Sequence, residues 1–160
     1  MQTKYSVGKV SKKEKIVIQN KLKEHWGIKK EATDKMEFFK RKDDLWITTK
    51  AAKTNEHFQK KGIKINNIGM RAIRNSFTKS PKVTTNFVQL IDKEITKNIK
   101  ELTKEELEKY TKGEDLERDE NLEGFCILKY NNRAIGVGLI QQDRIKNQIP
   151  KSRRIKGEVK

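Results

Sequence analysis

Residues 124–140 read GFCILKYNNRAIGVGLI, and this stretch decides the architecture of the C-terminal half. Two apolar runs, Phe125 to Tyr130 and Arg133 to Ile140, flank Asn131-Asn132, a pair that accepts the left-handed backbone of a two-residue hairpin turn. A second tight connection, Gln141-Gln142, leads into Asp143 to Asn147. The three segments are therefore predicted to pair as an antiparallel meander. Gly136 and Gly138 fall on one face of the middle strand. Glycine weakens a strand interior, so two of them two residues apart predict the close approach of another backbone or of a ligand.

Moving outward toward the N-terminus, Thr103-Lys104-Glu105-Glu106 has the form of a capping box. It opens a helix with Leu107 and Tyr110 on one face, stopped at Gly113. The acidic residues from Glu114 to Glu123 read as a loop. Before the helix, Phe87, Leu90, Ile91 and Ile95 keep helical spacing, while Val83 and the threonines beside it leave a strand open; Ser80-Pro81 marks the turn that precedes them. Ile63, Ile65, Ile68 and Ile73 read as extended chain with Gly69 as a candidate bulge, after a short helix from about Thr54 to Gly62. Met36 to Lys40 and Leu45 to Thr49 read as two strands around Asp43-Asp44. Ser11-Lys12-Lys13-Glu14 is another capping box. Its helix sets Ile18, Leu22 and Trp26 on one face, and Gly27 supplies a left-handed stop.

The chain of 160 residues carries a net charge of +16, and the charge is segregated. Residues 50–100 hold 12 basic against 3 acidic groups, whereas residues 101–123 hold 4 against 10. The last stretch, IKNQIPKSRRIKGEVK (145–160), crowds lysines and arginines around Pro150. Solubility alone does not require such segregation; a polyanion-binding face does. Several chemistries leave no trace. Cys126 is the single cysteine and reads as an inert core thiol, so an intramolecular disulfide, a zinc ribbon and a Cys-x-x-Cys motif are excluded. His25 and His57 lack partners at metal-ligand spacing, and no Gly-rich phosphate or dinucleotide loop occurs. The expectation is a binding module with no catalytic residues, no metal and no cofactor. No apolar run reaches the ~20 residues that span a bilayer, and no secretion signal opens the chain, so a cytoplasmic protein with no membrane partner is expected.

Four motifs in order carry a resemblance: YTKGE (110–114), Gly124-Phe125, the Gly136-x-Gly138 strand, and RIKNQIPKSRR (144–154). Together they resemble the C-terminal region of the Sun/Fmu-type RNA cytosine-C5 methyltransferases, which ends in a PUA-like domain. The likeness extends upstream through GIKINNIGMRAIR and FTKSPKVTTNFVQLI. It departs where a Ser-His pair of the family is replaced around Thr84 and Thr85, and where a tryptophan becomes Phe125. The family's S-adenosylmethionine fold and its two catalytic cysteines find no room here, so no methyltransferase site is carried over. The resemblance implies an α+β protein: a small N-terminal α/β lobe at residues 1–75 and a PUA-like β pseudo-barrel at residues 76–156.

It also implies RNA binding, with rRNA or tRNA as the partner, in RNA modification or ribosome assembly. The RNA surface is expected at Arg144, Lys146, Asn147, Lys151, Arg153 and Arg154, with Pro150 stiffening the exit from the last strand. Arg71 and Arg74, with Lys79 and Lys82, are expected to extend it. Asn147 is expected to read a base edge or a 2′-hydroxyl, and Gly136 and Gly138 to let the RNA backbone approach. Trp46 and Phe125 read either as core or as stacking platforms. The alternative function is a protein-interaction subunit that docks on a separately encoded RNA methyltransferase; a ribosome-assembly protein is a further partner of that kind.

Overall fold

The computed structural model describes residues 7–50, 60–62 and 67–157. Helix α1 (Lys12–Trp26) begins at Ser11, whose hydroxyl accepts from Glu14 N while the Glu14 carboxylate accepts from Ser11 N. It ends at Gly27 with φ 67°, and buries Ile18, Leu22 and Trp26 as their four-residue spacing predicts. Around that face lie β1 (Gly8–Lys9), β2 (Met36–Arg41), β3 (Asp44–Thr49), β4 (Met70–Arg74) and β5 (Lys82–Val83). These form one antiparallel sheet in sequential order.

Lys40 closes the first turn of α1 by pairing with Glu14. That side-chain hydrogen bond, followed by the backbone N–H of Ser11, lowers the Glu14 carboxyl from 4.5 to about 2. A carboxyl whose folded pKa is depressed contributes stability above its unfolded pKa and loses it as pH falls through the folded one. Unfolding free energy should therefore decline between about pH 4.5 and about pH 2, and Glu14→Gln should flatten that limb. Urea titrations at several acidic pH values compare the two slopes.

A second sheet holds β6 (Ile99–Glu101), β7 (Leu116–Glu117), β8 (Phe125–Tyr130), β9 (Arg133–Ile140) and β10 (Arg144–Asn147), in the order β6-β8-β9-β10-β7. Strand β6 runs parallel to β8 and the other pairings are antiparallel. The meander predicted from residues 124–140 is present, and both Asn131 (φ 49°) and Asn132 (φ 59°) are left-handed at its first turn. The protein is α+β, with the curled second sheet forming the half-barrel of a PUA-like fold.

Strand β8 is buried on both faces because it serves two cores. Ile127 joins Ile18, Leu22, Trp26, Phe87 and Val88 in the core shared with the first sheet. Cys126 and Leu128, one residue either side, point into a smaller core with Tyr110, Leu116 and Ile145. The smaller core is covered by α3 (Lys104–Lys112), capped at Thr103 as expected. The shared core is closed by α2 (Thr85–Leu90). The end of helix α1 is tied to the second half of the chain: Trp26 Nε1 donates to Phe125 O of β8 at 2.7 Å, and Thr96 N, ahead of β6, donates to Trp26 O at 3.0 Å.

Several expectations change in detail. The acidic loop contains β7, which pairs with β10, because Leu116 is needed in the smaller core. Both readings of residues 83–95 find a place: Val83 sits in β5, and Thr84 then caps α2, which stops at Leu90. Gly69 is no bulge within a strand. It precedes β4 with φ +60°, where a Cβ would meet Ile47 O at 2.0 Å, and the ladder irregularity lies at Leu45/Trp46. The division drawn between residues 75 and 76 falls in the loop joining β4 to β5, and the first sheet continues to Val83. The helix expected from Thr54 and the extended positions Ile63 and Ile65 lie outside the described residues.

Candidate nucleic-acid interface

The two sheets meet at a cavity of about 440 Å³. The first sheet contributes Trp46 from β3, Met70, Arg71 and Arg74 from β4, and Lys82 and Val83 from β5. The cap and first turn of α2 contribute Thr84, Thr85 and Asn86. The second sheet supplies Val137 from β9, and the segment leaving β10 supplies Gln148, Pro150, Ser152 and Arg153. Among the described lining residues four are cationic and none is acidic.

Arg71 is balanced by Asp44 at 3.2 Å and lies over the Trp46 ring, 5.9 Å from its centroid. The other three cations have no carboxylate partner among the described residues. Arg153 reaches Asn86 Oδ1 at 3.1 Å. Lys82 donates to Gln148 Oε1 at 2.5 Å and stands over the Phe125 ring at 5.6 Å. Burial, then repulsion from Arg74, pushes the Lys82 ammonium below its ordinary pKa. An anion entering here would relieve both effects. Trp46 and Phe125 are each half-buried, and each carries a cation of the protein over its ring. The buried Nε1 of Trp46 has no acceptor among the described residues.

Lys151 is exposed on the single 3-10 turn, Lys151–Arg153, that follows Pro150. Lys146 pairs with Leu139, two residues from Val137, and so occupies the same face of the second sheet as the cavity floor. Arg71, Arg74, Lys82, Lys146, Lys151 and Arg153 are the cations of this side.

The remaining predicted positions are taken into the fold. The Asn147 amide donates to Tyr110 O at 2.7 Å and Glu114 O at 2.8 Å, and its oxygen accepts from Ile149 N at 2.8 Å. It holds the C-terminal end of α3, which leaves no group free to read a base. Arg154 lies across Gly113, where an added Cβ would come within 2.4 Å of Arg154 Nε. Arg144 is engaged by Asp115 at 3.5 Å and Asp143 at 3.6 Å. The close approaches at Gly136 and Gly138 are real, but the protein itself makes them. A Cβ at Gly136 would meet the Tyr110 hydroxyl at 2.1 Å, and one at Gly138 would meet an Ile145 methyl at 2.4 Å. Both spaces are filled, so no nucleic-acid backbone enters there.

Tyr110 explains the first glycine. Strand β10 stops opposite Gly138, and the Tyr110 hydroxyl takes over the next position, donating to Val137 O and accepting from Val137 N, both at 3.2 Å. Burial pushes its pKa up to about 12. Tyr110→Phe strands both backbone groups, and chemical denaturation should register a loss of ~2 kcal/mol. Cys126 is buried, and burial raises its thiol to about 11, as an inert core residue requires.

Lys82, Asn86 and Gln148 carry more of this site than the sequence motifs indicated. For Lys82 and Asn86 the sequence signal is the scarcity of acidic residues over 50–100, while Gln148 falls within the 144–154 motif. Among the described residues no helix is long and apolar enough to cross a membrane. No curated protein matches the chain. Residues 97–155 match the family model described as the methyltransferase RsmF PUA domain, which suggests RNA binding in an RNA-methyltransferase setting. This part of the chain is similar to the PUA-like region that ends the Sun/Fmu-type RNA cytosine-C5 methyltransferases.

Proposed function

We propose that this protein binds structured RNA, with rRNA or tRNA as its partner in modification or ribosome assembly, along the cationic side where its two sheets meet. The observation that carries the reading is the convergence of Arg74, Lys82 and Arg153 on one cavity, with no carboxylate partner among the described residues. Uncompensated cations around a recess favour an anionic ligand, and phosphates spaced along a chain suit a row of such charges. Arginine adds a planar fork that grips two phosphate oxygens at once.

The direct test is the salt dependence of binding to transcribed rRNA and tRNA fragments. About five phosphate contacts give a log–log slope near −3.5 on single strands. A flat slope, or association with cell extract that survives nuclease treatment unchanged, would instead favour the protein-docking reading.

A further inference from the structure

We infer that the cavity between the two sheets takes one unpaired nucleotide of the bound RNA, its base inside and its phosphate at the cationic rim. This rests on the RNA-binding reading and specifies which feature of the RNA is recognised. The recess, at about 440 Å³, is of the size that encloses a small molecule and is too confined for a stacked duplex. Its walls are of two kinds. Trp46, Met70, Val83 and Val137 offer an apolar lining of the sort a base ring buries against. Asn86 and Gln148 place side-chain amides among them, able to meet the polar edges of a base.

The charges complete the pattern. Arg74, Lys82 and Arg153 line the same recess without carboxylate partners among the described residues, which suits a phosphate attached to the inserted nucleoside. Bases within an A-form helix are held in grooves that side chains read poorly, so sequence-reading proteins favour nucleotides already out of the stack. Extrusion costs least where the base has no partner to leave. A bulge or an internal loop is therefore the feature that fits.

The test compares three RNA hairpins by equilibrium binding at one salt concentration: fully paired, with a single-nucleotide bulge, and with an abasic residue at the bulge. The wild type should prefer the bulged hairpin by at least about tenfold, or about 1.4 kcal/mol. The abasic hairpin should lose most of that preference. Ser152→Trp, on the exposed turn after Pro150, puts a bulky ring at the cavity lining and should erase the preference for the bulged over the paired hairpin. Equal binding of paired and bulged RNA would overturn the nucleotide pocket and leave RNA binding standing. So would a preference that survives either the abasic residue or Ser152→Trp. Failure to bind any of the three would remove both readings.

Discussion

Gly136→Ala should destabilise the protein by on the order of 4 kcal/mol, a large part of the 5–15 kcal/mol that holds a domain folded. The added methyl would stand 2.1 Å from the Tyr110 hydroxyl and 2.9 Å from its ring. Tyr110 is 1% exposed and cannot retreat without opening the smaller core. If it moves, Val137 N and Val137 O lose their shared partner and become two buried, unpaired backbone groups. Overpacking and lost hydrogen bonds therefore add together. Gly138→Ala should cost less, since its obstacle is a methyl of Ile145 that can rotate. The mechanism is separable from a general dislike of alanine in β9. In a Tyr110→Leu background the further cost of Gly136→Ala should shrink, because the hydroxyl it strikes is gone. Urea denaturation of the four variants measures the coupling, and additive losses would show that Tyr110 is not the cause.

Replacing Arg74, Lys82 and Arg153 together by Ala should weaken RNA binding by about a hundredfold at low salt and reduce the log–log salt slope by about 2. All three lack ion pairs among the described residues, so their removal strands no carboxylate and stability should change little. Arg144→Ala provides the contrast. Its charge is already met by Asp115 and Asp143, so RNA affinity should fall less than threefold. A uniform loss across both sets would mean that net charge alone drives binding.

The sequence predicted the scaffold better than the surface, for physical reasons. Capping boxes, left-handed glycines and alternating apolar runs act over a few residues, so α1, α3 and the β8-β9-β10 meander were legible. Strand β7 was not. Two residues among ten acidic or polar ones carry no period, and only the partner strand β10 makes them a strand. The motifs behind the family resemblance proved to describe one structural joint. Gly113 accepts the Arg154 side chain, Asn147 ties off the helix end at Tyr110 and Glu114, and Gly136 makes room for the Tyr110 ring. Charge and hydrogen-bonding capacity at these positions suggested RNA contact, but the same groups can serve a helix end, and only tertiary geometry separates the two uses. The cavity was the least legible feature. Trp46, the segment from Lys82 to Asn86, and Arg153 are far apart in the chain, and the packing of one sheet on the other brings them together.

An RNA titration of the 15N-labelled protein, followed through its backbone and arginine side-chain signals, tests the location of the interface most directly. Shifts should concentrate on Arg71, Arg74, Lys82, Asn86, Ser152 and Arg153, with Arg144, Asp115 and the helix α3 nearly unmoved. Perturbations centred instead on α3 and the β7-β10 edge, with the residues between the two sheets silent, would contradict the account.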